Sequence, residues 1–423
     1  MKTVSLILLF FTTLSHAANV IFVHPDGAGI SQWQAARMFW KGPDSELWWD
    51  RLPHIGIYRG HMSDSLSATS NGGATAHAYG VKVSRSGFGA DKDSATPPTA
   101  ASGKPESLMQ EARRRSFRTG LINSGSIIEP GTAAWVASVA KRSESEEITR
   151  QVVESGIDII LCGGEEWLLP EGEPGQHGGK GKRSDGRNLI NEAKEKGYTV
   201  VLSKEDLAAV PPETKKLLGI FANGNTYNAG TEAELQAKKL PYYNPDAPTV
   251  AEMTTKALEL FGSDKFFLVV EEEGSDDFGN NRNAHGVFEA LKRADDTYGV
   301  ILKYQETHPD TLLLTTADSS SGGMDIIGLQ QKNPMHAAFG AVGRDFSGST
   351  YETDDKKPFI AAPDKSGQRL PFIVVWGTSR DVAGGIAARA AGAGAEAVRG
   401  SIDNTQIYTI MRNALFESDP DQH

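Results

Sequence analysis

"TLLLTTADSSSGG", residues 311–323, passes from apolar to polar within a few positions. Leu312, Leu313 and Leu314 make an apolar run of the length of a buried strand. Asp318 then falls at the carboxyl end of that strand, where open parallel sheets put their ligand sites. A carboxylate in this place either caps a turn or holds something, and its neighbours here are serines rather than histidines.

The same transition recurs along the chain. "NVIFVHPD" (19–26), "RTGLIN", "GIDIILCGG", "GYTVVLS", "FFLVVEEE" and "LPFIVVWG" read as further strands. Between them lie amphipathic stretches with helical spacing, such as "SEEITRQVVE", "VAEMTTKALELFG" and the long "HGVFEALKRADDTYGVILKYQE". Strands alternating with helices predict an α/β fold, a three-layer α/β/α sandwich around a mostly parallel central sheet. Residues 171–187 and 345–359 read as surface loops, and residues 18–423 as one domain.

Three of the predicted strands end in acid: Asp26 after the first, Glu271, Glu272, Glu273, Asp276 and Asp277 after "FFLVV", and Asp318 after "TLLL". Each aspartate alone reads as well as a cap of the following turn. Brought together at neighbouring strand ends, they would repel one another unless cations sat among them. A donor set made of oxygen favours hard ions such as Mg²⁺ or Ca²⁺, with Zn²⁺ less favoured. A second stretch, "SATSNGGATAHAYGVK" (67–82), places Ser70 at the start of a helix-compatible run. A helix N-terminus favours an anion, and a hydroxyl presented there is either a cap or a nucleophile.

Composition narrows the classes. Residues 1–17 carry one Lys, an apolar core from Val4 to Leu14 and then Ser15-His16-Ala17, the pattern of a cleaved secretory leader, so a periplasmic or secreted protein is expected. Later apolar runs are too short to span a bilayer, and no membrane partner is expected. Cys162 is the single cysteine, which excludes an internal disulfide and a cysteine-based zinc site. The formal net charge is −11, and no basic stripe appears, so nucleic acid is excluded as a partner.

Taken in order, these segments resemble the alkaline phosphatase family over nearly the whole chain. "VIFVHPDGAG" is similar to the family's first strand, with Asp26 as its bridging aspartate. "GATAHAYGVK" resembles the helix after the nucleophile, and counting back from Gly80-Val81-Lys82 gives Ser70, with Thr69 where the family usually has Asp. "EPGTAAWVASVAKR" leads to the phosphate-clamping arginine, Arg142. "FFLVVEEEGSD" supplies Glu271 and Asp276 as ligands, and "HPDTLLLTTAD" supplies Asp318. The resemblance implies an alkaline phosphatase-like sheet, divalent metal ions, a small phosphate-ester substrate and, from family habit, a homodimer.

The departures from the family are specific. Ser319 stands where a zinc-binding His follows the last aspartate, and Asn280 where another is expected four residues after Asp276. The third His is absent before "LPFIVVW", where Lys365 or Ser366 stands, and the family threonine aligns with Gly131, near Glu129. Asp277 and Asn283 are further oxygen donors in reach, while His24 and His77 read as structural. The expectation is an exported phosphomonoesterase that forms a phosphoserine at Ser70. Its metal ligands would be Asp26, Glu271, Asp276, Asp318, Asn280 and Ser319, with Mg²⁺ as the leading ion and Ca²⁺, Mn²⁺ or Zn²⁺ behind it. The alternatives are a phosphodiesterase or other ester hydrolase of the superfamily, and a binding protein without turnover.

Overall fold

β1 (Asn19–Pro25) is buried at every residue, and so are Phe266–Glu272 and Thr311–Thr315. Strands covered on both faces need such continuous apolar runs, and this is why they were legible as runs and not as alternations. The computed structural model describes residues 19–329 and 358–416. The predicted leader at 1–17 and nearly all of the loop 345–359 lie outside the described residues.

The remaining strands are β2 (His54–Arg59), β3 (Arg118–Ser126), β4 (Ile159–Gly163), β5 (Thr199–Val201), β6 (Leu217–Ile220), β7 (Phe266–Glu272), β8 (Thr311–Thr315), β9 (Met324–Gly328), β10 (Phe359–Ile360), β11 (Pro371–Trp376), β12 (Ala387–Gly392) and β13 (Gly400–Asp403). Ten of them form one sheet in the order β13-β2-β12-β8-β1-β7-β3-β4-β6-β5. Every neighbouring pair is parallel except those of β12, which runs against both β2 and β8. Helices Val250–Phe261 and Ala284–Gln305 pack on one side, against β3 and β7 and against β1, β7 and β8. Helices Leu108–Arg114 and Asn404–Phe416 pack on β3, β7, β1 and β8 as well, and Asn404–Phe416 also carries helix Ser70–Tyr79. The expected α/β/α sandwich is therefore the observed architecture.

One predicted strand goes elsewhere. "PFIVVW" forms β11, which pairs antiparallel with β9 and β10 in a separate three-stranded sheet. Its apolar run was read correctly as a strand, but such a run does not say which sheet it joins. Asn283 is also not a site residue. Its side-chain oxygen caps helix Ala284–Gln305 by accepting from Gly286 N at 2.9 Å, and its amide donates to Gly230 O at 3.0 Å.

Candidate active site

Register alone assembles the first row of side chains. β1 pairs with β7 so that His24 is level with Glu271, and β3 pairs with β7 so that Asn123 is level with Glu271 too. His24 Nδ1 lies 3.2 Å from Glu271 Oε1, and Asn123 Nδ2 donates to Glu271 Oε2 and, at 2.9 Å, to Thr132 Oγ1. Val23 is level with Thr315, so Asp26 and Asp318 each lie three residues beyond the last pair of β1 and β8. The carboxyl ends of three adjacent central strands thus converge, as the sequence pattern predicted.

The serines and glycines of 318–323 lock this convergence. Ser321 Oγ donates to Gly27 O at 3.1 Å and to Ser275 O at 3.2 Å, while Ser320 Oγ accepts from Gln32 Nε2 at 3.2 Å. A Cβ on Gly27 would meet Asp276 Oδ1 at 2.5 Å and Ser321 Cβ at 2.7 Å, so this turn, with φ +66°, accepts glycine alone. Ser320 and Ser321 are therefore structural. Ser319 Oγ differs, being buried without a hydrogen-bond partner.

Ser70 opens helix Ser70–Tyr79, with Thr69 extended ahead of it, and is 4% exposed. The helix comes this close because Gly73 has no side chain: a Cβ there would collide with Asp318 Cβ and lie 2.9 Å from its Oδ2. Thr69 Oγ1 is engaged elsewhere, donating to Arg85 O at 2.5 Å. Arg142 reaches the same place from the other side, with Nη2 2.6 Å from Glu129 Oε2 and Nη1 3.3 Å from Asn71 Oδ1. Gly131 sits directly on the Glu271 carboxylate, which occupies the space a side chain would need.

The three consecutive glutamates part company because side chains alternate along a strand. Glu271 faces His24. Glu272 turns away into a buried pair with Arg293, at 3.0 and 2.9 Å. Glu273 returns to the site with Oε2 unpartnered. On helix Gly274–Asn280, Asp277 accepts from Tyr227 OH at 2.6 Å. Asn280 Nδ2 donates to Asp276 Oδ2 and to Asp381 Oδ1, each at 2.9 Å, and its oxygen accepts from Gly322 N at 3.1 Å. As oriented, Asn280 offers the carboxylates an NH₂ and not an oxygen.

Buried oxygens left without partners show that the donor set suits cations. Among the described residues, both oxygens of Asp26, both of Asp318, Asp276 Oδ1 and Glu273 Oε2 have none. His24, Asp26 and Glu271 bring ligand atoms within 4.8 Å of one another, and so do Glu273, Asp276 and Asp277. Burial holds Asp318, Asp276 and Glu273 well above the usual carboxylate range, and the neighbouring carboxylates of Asp26, Asp381 and Glu129 respectively add to it. Burial also takes Glu129 up to about 7 against the pull of Arg142. Asp26 alone ends low: burial pushes it up, but the His24 charge, the neighbouring Asp318 and Ser70 and the Arg142 charge together more than offset this. His24 in turn is raised, since burial is outweighed by the Glu271 hydrogen bond and the Asp26 charge.

The pattern of the Alkaline phosphatase family matches residues 17–416. The chain belongs to the alkaline phosphatase family. It is 26% identical to the alkaline phosphatase of Escherichia coli (strain K12) over 343 residues, which is 71% of this chain and 70% of that one. It is 27% identical to the repressible alkaline phosphatase of Saccharomyces cerevisiae over 323 residues, 72% of this chain but only 55% of the yeast protein. Among solved structures, the alkaline phosphatase of the Antarctic bacterium TAB5 superposes with a TM-score of 0.72 at 20% identity, covering 95% of this chain and 98% of that one.

Within this family the chain is a phosphatase whose site residues depart from expectation in three places. Lys365 and Ser366 lie on an exposed turn, where Lys365 N donates to Asp44 and Ser366 N to Asp364, so neither reaches the site. Asp381, after β11, takes the place beside Asp276 and Asn280. It obeys the same rule as the other acids, a carboxylate just past an apolar strand, and that signal was available. His24, read as structural, lies inside the cluster with Nε2 3.9 Å from Asp318 Oδ1. His77 does stay structural, its Nε2 2.7 Å from Tyr58 OH, and burial holds it well below the usual imidazole value.

Proposed function

We propose that this chain hydrolyses phosphate monoesters through a phosphoserine at Ser70, in a centre built for hard divalent cations. The observation that carries this reading is the close seating of the Ser70 helix on Asp318, beside Asp26 oxygens that have no partner. Asp26, Asp318 and Ser319 on one side, and Asp276 and Asp381 on the other, would hold cations that lower the pKa of the Ser70 hydroxyl and neutralise charge on the phosphoryl group. Asn280 would then be a positioning residue that spaces Asp276 from Asp381. Mg²⁺ is the ion that such oxygen donors favour, with Ca²⁺ and Mn²⁺ next.

The chain's own residues divide the rest of the work. Arg142, fixed by Glu129 and Asn71, receives two nonbridging phosphate oxygens through its planar fork. The free N–H groups at the start of helix Ser70–Tyr79 face the same anion. Ser70 Oγ bonds to phosphorus as the ester oxygen departs with the bonding pair and takes up a proton. Water then breaks the Oγ–P bond in the same in-line sense, returning Ser70 and releasing phosphate. The leader pattern at residues 1–17 supports export, and among the described residues no helix is long and apolar enough to cross a membrane.

The test is hydrolysis of a chromogenic phosphomonoester by metal-stripped protein, resupplied with Mg²⁺, Ca²⁺, Mn²⁺ or Zn²⁺ in turn, with Ser70→Ala alongside. Activity should return best with a hard ion and fall at least about a thousandfold in Ser70→Ala. Rescue by Zn²⁺ alone would overturn the oxygen-donor assignment. Turnover of a matching diester but not the monoester would move the chain to the other ester hydrolases.

A further inference from the structure

The His24 ring is fixed on three sides. Its Nδ1 meets Glu271 Oε1 at 3.2 Å, Phe22 stacks along it with ring centres 6.0 Å apart, and His77 packs edge-on at 5.7 Å. Glu271 is held in turn. Its Oε2 accepts from Asn123 Nδ2, and Asn123 Oδ1 accepts from Gly125 N at 2.6 Å. Each oxygen of Glu271 therefore faces a nitrogen of the protein, an arrangement that suits a residue orienting a ring rather than one binding an ion directly.

A carboxylate accepts only, so Nδ1 carries the hydrogen of its contact with Glu271. The other nitrogen, Nε2, belongs to a residue 1% exposed and has no hydrogen-bond partner among the described residues. It stands 3.9 Å from Asp318 Oδ1. That is too long for a hydrogen bond, yet within the separation, up to about 4.2 Å, of two donors bound to one ion at about 2.1 Å each. Asp318 Oδ1 and both oxygens of Asp26 are likewise buried without partners among the described residues. Unpaired polar atoms so deeply buried call for a ligand, and here they meet from two adjacent strands, β1 and β8.

Resting on the reading that Asp26 and Asp318 hold a cation, we propose that His24 Nε2 is a ligand of that cation and that Glu271 is the carboxylate that positions the ring. A ligating imidazole is commonly fixed in this way, with its second nitrogen donating to a carboxylate. The two cation positions then differ in donor chemistry. Asp276 and Asp381 offer oxygen alone and suit Mg²⁺. A nitrogen beside Asp26 and Asp318 raises the affinity of that position for Co²⁺ or Zn²⁺ relative to Mg²⁺. Any proton on Nε2 leaves as the ion binds.

The experiment strips the protein of ions, adds one equivalent of Zn²⁺ in the presence of Mg²⁺, and reads the zinc shell by X-ray absorption. Calorimetric titration gives the Zn²⁺ and Mg²⁺ affinities alongside. The wild-type protein should show scattering from one imidazole. His24→Asn keeps an amide donor for Glu271 but ends short of Nε2. It should lose that scattering and bind Zn²⁺ about tenfold or more weakly, with a smaller change for Mg²⁺. His24→Gln carries the same expectation should His24→Asn fail to fold. Zinc bound by oxygen alone in the wild type overturns the assignment, and so does imidazole scattering or Zn²⁺ affinity that the substitutions leave unchanged. Turnover of a monoester with an imidazole-free ion overturns this assignment alone. Imidazole-bound zinc in a protein that turns over no monoester supports it and removes the phosphomonoesterase reading instead.

Discussion

Gly131 has no side chain because the Glu271 carboxylate fills the space where one would be. Gly131→Ala should therefore displace Glu271 from His24 and Asn123. The expected result is a loss of about tenfold or more in divalent-ion affinity and in activity, with a stability loss of about 1–3 kcal/mol for the overpacked contact. Ion titration followed by protein fluorescence, with a melting curve as control, checks both. At this scale the sequence was informative where a rule was local. Asp26, Asp318 and Asp276 each follow an apolar strand, and Ser70 opens a helix rich in glycine. His24 was illegible because its role depends on lying level with Glu271 in the next strand, a matter of pairing that no single run of residues contains. Asn280 was legible only in part for a related reason: whether its amide turns an oxygen or an NH₂ to the carboxylates is set by its neighbours in space.

The elements were legible in proportion to their burial. β1, β7 and β8 announce themselves as unbroken apolar runs, whereas β12, "AARAAG", and β13, "GSID", carry neither β-branched runs nor clean alternation. β12 joins the sheet by pairing with β8 and carries β2, which was itself not predicted, and β13 pairs with β2 in turn. The long helix Ala284–Gln305 was plain in the sequence, yet it contains a buried acid whose effect was not. Asp295 accepts from Trp49 N at 2.9 Å, and burial raises its carboxyl to about 6 despite that hydrogen bond. The folded state then holds a proton that the unfolded chain, with an aspartate pKa of about 3.9, has released. Stability from this group is intact below about pH 4 and falls as pH rises to about 6, by up to about 3 kcal/mol. Asp295→Asn keeps an acceptor for Trp49 and should flatten that fall, leaving the variant about 1–3 kcal/mol more stable at pH 7. Denaturant unfolding at pH 4, 5, 6 and 7 measures it, and parallel slopes for the two proteins would refute the assignment.

For the molecule as a whole, the gathered carboxylates make stability depend on what neutralises them. Without ions, Asp276, Asp318 and Glu273 hold protons in the folded state that they lose on unfolding, so the ion-free protein should weaken as pH rises above the ordinary carboxylate range. A divalent ion at a hundred times its dissociation constant adds about 2.7 kcal/mol, a rise of about 3–5 °C in melting temperature for a chain of this size. That rise should be present at pH 8 and largely gone at pH 5, because protons compete with the ion for the same oxygens. Melting curves with Mg²⁺ and with chelator at both pH values settle it. Export would make this dependence useful to the protein, since with Cys162 alone no disulfide can take over the stabilising role.

The Glu272–Arg293 pair has a bearing on how the chain finds its register. Three glutamates in succession could serve one another's places, and a slip of β7 by one residue would present Glu272 to the centre while turning Glu271 or Glu273 away from it. Arg293 distinguishes them. It is buried on the helix side of the sheet and held in a bidentate grip by the middle glutamate alone. A buried ion pair that loses a partner is penalised by about 3–5 kcal/mol. Arg293 thus works as a proofreader of assembly: it lies outside the carboxylate cluster, yet it selects which of three identical side chains arrives there.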